Sequence, residues 1–172
     1  MSVFDQALRW GPVFRTRRNH ALEHATLQVL AEKHPHMRAA GYSDPNGFWL
    51  IGDMDTGDVE QAVGQAVARL QGGEHSLAIH PHCGTNLVTT GFLAGSFAWL
   101  GMIGANRSFR DKLERWPLIV SMVTLAVFLA QPLGPFLQAK VTTSPEAQGL
   151  KGISIERSQR GEVPVHRVLT QY

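Results

Sequence analysis

The chain has a single cysteine, Cys83, among its 172 residues, which excludes an internal disulfide framework. The net charge is only +2, so the composition does not indicate a nucleic-acid partner. The segment 1–14 lacks a basic stretch followed by an apolar core, and we therefore expect no cleavable signal peptide. Charge is also missing from two long stretches, since no Asp, Glu, Lys or Arg occurs in residues 86–105 or in residues 117–139.

The two uncharged stretches have the length of membrane-spanning helices. About 20 apolar residues cross the hydrocarbon core of a bilayer as a helix. We therefore predict a transmembrane helical hairpin and a lipid bilayer as partner; the alternative is a buried helical pair in a soluble protein. Gly91 and Gly95 form a small-x-x-x-small pair on the first helix, which favours a homo-oligomer. Pro132 and Pro135 should kink or end the second helix.

The orientation of this hairpin follows from two competing observations. The connecting loop carries four basic residues, which favours a cytoplasmic loop; they are Arg107, Arg110, Lys112 and Arg115. That orientation would require export of the N-terminal half without a signal. We therefore expect a two-pass protein of the cell membrane with a cytoplasmic soluble part.

The remaining residues predict one α+β domain. The patterns indicate helices at Asn19–Lys33 and Val59–Leu70, strands at Phe48–Ile51 and Ser76–His80, and a β-hairpin of Lys151–Arg157 with Val163–Leu169. A lone β-hairpin is marginal in water, so it should join the sheet of the N-terminal half. We expect a small mixed sheet with two helices, interrupted by the inserted hairpin. The parts are then residues 1–85, 86–139 and 140–172.

A chemical motif lies on the first predicted helix. His20, Glu23 and His24 share one helix face, because residues three and four apart are neighbours. Two histidines one turn apart can bind one metal ion, and the glutamate beside them can act as a base.

A second cluster, His80, His82 and Cys83, could supply the remaining ligands. Zinc in proteins takes three or four nitrogen, sulfur or carboxylate ligands. We therefore predict a site for zinc or another transition metal at the membrane face, formed by His20, His24 and this cluster. The spacing leaves open whether Glu74, His75 or His166 joins it.

Three functions fit these residues. In the first, a closed four-ligand metal site has a structural or sensory role, which the Cys83 thiol favours. In the second, the protein is a membrane-bound zinc hydrolase in which Glu23 takes a proton from metal-bound water. In the third, no metal binds, and Arg18, Glu23 and the histidines form a buried polar network. We rank the non-catalytic metal site first.

Two stretches also carry a family resemblance. Arg17–Thr26 (RRNHALEHAT) and Gly72–Asn86 (GGEHSLAIHPHCGTN), followed by the hairpin, resemble a family of small bacterial membrane proteins catalogued only as a domain of unknown function. The resemblance covers most of the chain and implies no activity. Separately, His20, Glu23 and His24 are similar to the H-x-x-E-H pattern of inverted zinc peptidases, which implies a zinc hydrolase.

Overall fold

The computed structural model describes residues 3–104, 108–161 and 163–172. These residues form two compact units. The first comprises the described residues up to His80 and those from Ala139 onward, and the second is Pro81–Gln138. Ala105, at the end of the first predicted membrane helix, and Arg107, in the basic loop, lie outside the described residues.

The first unit contains three helices and four strands. The helices are α1 (Val3–Leu8), α2 (Gly11–Lys33) and α3 (Thr56–Gln71), and the strands are β1 (Ala40–Asp44), β2 (Gly47–Ile51), β3 (Gly152–Arg160) and β4 (Val163–Gln171). A short 3₁₀ helix, His75–Ala78, follows α3. The helix predicted from Asn19 begins earlier, because Pro12 is tolerated in a first helical turn. It ends at Lys33, two residues before Pro35, as predicted.

The four strands form one antiparallel sheet in the order β1-β2-β4-β3. The predicted α+β class is confirmed, but a mixed sheet is wrong for the described residues. The predicted strand at Ser76–His80 is also wrong, since the 3₁₀ helix occupies most of it. Instead β1 is the first strand. It pairs Asp44 with Gly47 across a tight turn at Pro45-Asn46.

The core of this unit lies between the sheet and the two long helices. Phe48 and Leu50 point from β2 into a cluster that includes Leu22 and Leu30 of α2. The predicted helix Val59–Leu70 is confirmed as part of α3, and the apolar stripe that it buries consists of Val59, Ala62, Val63, Ala66 and Leu70. Asp55 caps α3 by accepting a hydrogen bond from Gly57 N at 2.8 Å.

The second unit contains α4 (Gly84–Met102), the short α5 (Phe109–Glu114) and α6 (Trp116–Leu137). A π-helical turn, Gln138–Thr142, continues α6. Among the described residues, the helix Trp116–Thr142 is the one long and apolar enough to cross a membrane by length and composition. Of the two predicted crossing helices, α6 alone meets this criterion among the described residues. The Gly, Ser and Thr residues of α4 lower the mean hydropathy of that helix.

The packing between α4 and α6 uses small residues. Gly101 of α4 lies against Ile119, where an added Cβ would be 3.1 Å from the Ile119 side chain. At the other end, Gly134 lies against Asn86, whose Oδ1 accepts a hydrogen bond from Gln138 Nε2 at 2.7 Å. Pro132 and Pro135 lie within α6 without ending it, so of the two predicted effects the early end is wrong and the kink stays a prediction.

His166 predicts an acid sensitivity of the first unit. Its ring is fully buried on β4, Nε2 lies 3.1 Å from Thr56 Oγ1, and Nδ1 has no hydrogen-bond partner in the described part of the chain. Burial lowers the pKa of His166. Because the folded state favours the neutral ring, this stabilisation is complete above about pH 6.5 and is lost as the pH falls toward the lower folded pKa.

We expect the melting temperature of the first unit to drop between pH 8 and pH 5, and to drop less in His166→Leu. Circular dichroism of the full chain measures both. His36→Leu, which alters an exposed histidine, is the control and should keep the wild-type difference. An equal drop in wild type and His166→Leu would contradict the assignment.

Candidate metal centre

Two arginines just before the histidine motif join α2 to the π-helical turn and to the residues that follow it. Arg17 donates to the carbonyl oxygens of Lys140 at 3.1 Å and Thr143 at 2.9 Å. Arg18 donates to the carbonyl oxygen of Glu146 at 2.6 Å, and its guanidinium lies 3.7 Å from the Tyr172 ring centroid. Burial lowers the pKa of both arginines.

Asn19 connects the same helix to the sheet. It is fully buried, and its Nδ2 donates to the Asp44 carbonyl oxygen of β1 at 2.8 Å. Its Oδ1 accepts hydrogen bonds from Thr170 Oγ1 at 2.7 Å and from Tyr172 Oη at 3.1 Å. This buried amide therefore joins α2 to the end of β1 and to the end of the chain at β4.

His20 and His24 are oriented by backbone carbonyls. His20 Nδ1 donates to Thr142 O at 3.0 Å, and His24 Nδ1 donates to Ala78 O at 2.7 Å. A carbonyl oxygen only accepts, so each neutral ring carries its proton on Nδ1 and its lone pair on Nε2. The ring centroids are 4.3 Å apart, and the ligand nitrogens of the pair lie within 4.8 Å of each other. The predicted sharing of one helix face is therefore confirmed.

His80 is the third imidazole of the first unit at this place. Its ring centroid lies 5.5 Å from that of His24. Gln28, one turn after His24, donates to the carbonyl oxygens of Leu77 at 2.7 Å and Ile79 at 3.1 Å. These bonds fasten the segment before His80 to α2. Gln28 was missed by sequence reasoning, although its position four residues after His24 placed it on the same face.

Glu23 is directed at strand β1. The side chain is 3 % exposed, and its Oε2 accepts a hydrogen bond from Ser43 Oγ at 2.5 Å. Gly41, two residues earlier on the strand, lies so close that an added Cβ would be 2.5 Å from Glu23 Oε1. The carboxylate is thus packed against the strand backbone, and neither Ser43 nor Gly41 carried a signal in the sequence.

The other candidate residues belong to other elements of the chain. Cys83 is the N-cap residue of α4 in the second unit, where its Sγ accepts from Thr85 N at 3.4 Å, and His82 precedes it on the exposed surface. Their assignment as ligands stays a prediction. Glu74 forms an ion pair with Arg69 at 2.6 Å. His75 is exposed and His166 lies beside Thr56, so no contact of the described residues joins these three side chains to the α2 histidines.

The chemistry available at the α2 histidines is that of nitrogen ligands. Imidazoles with the lone pair on Nε2 and Nδ1–H bonded to a carbonyl have the usual arrangement of metal-ligating histidines, in which the second hydrogen bond fixes the ring and its tautomer. Imidazole suits zinc, copper, iron and nickel. The residues present therefore fit the predicted class of metal.

Comparison with known proteins gives a family without an assigned role. The model of a domain of unknown function, DUF6391, matches residues 15–155. The chain belongs to the DUF6391 family. Over 141 residues it is 37% identical to an uncharacterized protein of Picosynechococcus sp., a match that covers 74% of this chain and 65% of the relative's length. No solved structure matches.

These matches confirm the resemblance to a domain of unknown function. The similarity to inverted zinc peptidases, which depends on His20, Glu23 and His24 alone, stays a prediction.

The contact between Glu23 and β1 predicts that Gly41→Ala destabilises the protein. The new Cβ displaces the carboxylate from its place beside Ser43, and forced repacking of a filled site costs about 1–3 kcal/mol. Chemical denaturation of the full chain, followed by a spectroscopic signal from the first unit, measures the free energy of unfolding.

Gly64→Ala is the matched control. Gly64 lies within α3 with nothing inside 4 Å of an added Cβ, so alanine there should stabilise the helix by about 0.5–1 kcal/mol. Equal stability of Gly41→Ala and wild type would show that Glu23 does not need this contact.

Proposed function

We propose that this protein is a membrane-anchored metal-binding protein whose first unit holds a transition metal ion, most simply zinc, through His20, His24 and His80. The observation that carries the proposal is the pair of Nδ1–H···O=C hydrogen bonds at His20 and His24. They orient two imidazoles from one helix, and a ring nitrogen of each lies within 4.8 Å of a ring nitrogen of the other, which suits one shared ion. His80 lies beside them.

The contacts of Glu23 favour a non-catalytic site over a hydrolase. A general base must lie within about 3 Å of the water whose proton it takes, directly or through another water. One oxygen of Glu23 is held by Ser43 and the other packs on Gly41, so the known contacts turn the carboxylate toward the strand. We therefore rank a structural or sensory metal site above a zinc-dependent hydrolase, which keeps Glu23 as its candidate base.

The proposed membrane anchor is the second unit. Small residues lie between its two long helices, whereas large apolar side chains face outward, the reverse of a soluble helical pair. The exposed large side chains of α4 and α6 include Leu87, Phe92, Trp99, Leu118, Leu125, Phe128 and Phe136. In water such a surface is an aggregation hazard; in lipid it is the surface that the bilayer requires.

Connectivity supports an even number of crossings. Strand β2 precedes the second unit in the chain and β4 follows it, yet the two pair in one sheet. A single crossing would leave them on opposite sides of the membrane. We therefore propose that α4 crosses together with α6, with the first unit on the cytoplasmic side. Gly91 and Gly95 are exposed, with nothing within 4 Å of an added Cβ, and they form the proposed contact with a second copy.

The metal proposal predicts that full-length protein purified without chelator contains near-stoichiometric zinc or a related metal, and that His24→Ala loses it. Loss of a nitrogen ligand should lower occupancy at least tenfold at limiting metal, which elemental analysis by mass spectrometry measures. His75→Ala, which removes an exposed histidine of the same unit, is the control.

Metal-free wild type, or equal occupancy in His24→Ala and wild type, would leave the histidines as a polar network.

A separate experiment, cobalt substitution of wild type and of Cys83→Ser, tests the sulfur ligand. A thiolate-to-cobalt charge-transfer band that disappears in this variant would identify Cys83 as a ligand.

The anchor proposal predicts that wild-type protein stays in the membrane pellet after carbonate extraction, and that Phe128→Asp is released. A charged carboxylate near the middle of a membrane helix costs about 2.5–3.5 kcal/mol on insertion. Val163→Asp changes an exposed apolar residue of the first unit and should stay in the pellet. Release of the wild type, or the same distribution for both variants, would contradict the anchor.

A further inference from the structure

The second unit contains an apolar cavity where α5 meets the ends of the two long helices. Its volume is about 400 Å³, within the range of ligand sites. Five of its six lining residues are apolar; the lining consists of Met102, Phe109, Lys112, Leu113, Trp116 and Ile119. No part of the metal centre uses this cavity.

Hydrogen bonds from Arg115 close the C-terminal end of α4 beside the cavity. Its Nη1 donates to Ile103 O at 2.7 Å and lies 3.4 Å from Gly101 O. These are carbonyls that a helix leaves without an internal partner at its C-terminus, and a cation there also interacts favourably with the helix dipole. Since Trp116 begins α6, this contact holds α5 and α6 against the end of α4, and the cavity walls belong to one packed corner.

Two of the three cations in residues 109–115 already have polar partners. Arg110 pairs with Glu114 at 3.1 Å, and Arg115 serves the carbonyls of α4. Among the described residues, Lys112 has no ion pair or side-chain hydrogen bond. Its aliphatic stem lines the cavity while the residue is exposed, so the ammonium group lies at the rim.

We propose that this cavity binds one anionic phospholipid, with part of an acyl chain against the apolar lining and the phosphate at Lys112. The inference depends on the membrane anchor proposed above, since insertion places the start of α6 at a membrane surface. Trp116 is 61% exposed beside the cavity, as expected of a tryptophan at the headgroup level, and Phe109, which is 79% exposed, adds apolar surface next to it. A basic rim on an apolar cavity selects a lipid with net negative charge over a zwitterionic one.

The experiment uses full-length protein reconstituted in bilayers of equal phosphatidylglycerol and phosphatidylcholine. After mild detergent extraction, mass spectrometry measures the lipids retained per protein. Wild type should retain phosphatidylglycerol with several-fold enrichment over phosphatidylcholine. Lys112→Gln should abolish the enrichment. Arg110→Gln removes an equal charge from α5 outside the cavity lining and should keep it.

A second variant tests the cavity itself. Met102→Trp fills the space without changing charge and should lower the total retained lipid, provided circular dichroism shows wild-type helicity. Equal retention of both lipids by wild type, or the same loss in Lys112→Gln and Arg110→Gln, would overturn the site. Carbonate release of the wild type would instead overturn the anchor, so the two failures are distinguishable.

Discussion

The burial of a polar helix face is the constraint on which the first unit depends. Four residues of α2, Asn19, His20, Glu23 and His24, lie along one side of the helix, and three of them are buried. An unsatisfied polar group in a protein interior costs about 1–3 kcal/mol. Each side chain therefore needs a partner from another element, and the fold supplies one in every case. The segments that pack around α2 are largely those that supply these partners.

These partners come from distant parts of the chain. Asp44 O and Ser43 Oγ belong to the first β-hairpin, Ala78 O to the 3₁₀ helix, and Thr142 O to the turn that follows α6. The segments before and after the second unit thus meet on one helix. The orientation of the imidazole rings depends on these carbonyl oxygens. The geometry of any metal bound by the α2 histidines would therefore depend on the position of residues 140–148.

The part of the site that depends on helical spacing could be predicted from the sequence. The interval of four residues places His20 and His24 on adjacent turns, and the structure brings their rings to 4.3 Å. The same reasoning assigned Glu23 to the histidines but did not predict its contacts with Ser43 and Gly41 of β1. Those contacts join positions some twenty residues apart, and no local pattern reports which strand lies over a helix face.

The sequence by itself determined the elements whose signals are local. The stripe of α3 with its Asp55 cap, the end of α2 before Pro35 and the C-terminal β-hairpin follow from periodicity, capping and backbone restriction, which act over a few residues. Only the tertiary structure decided the conformation of Leu77 and Ala78. A strand and a 3₁₀ turn would both bury these two side chains, and in the structure they lie against α2 rather than in the sheet. The tertiary structure also decided the tautomer of each histidine, because that depends on a carbonyl oxygen brought from elsewhere in the chain.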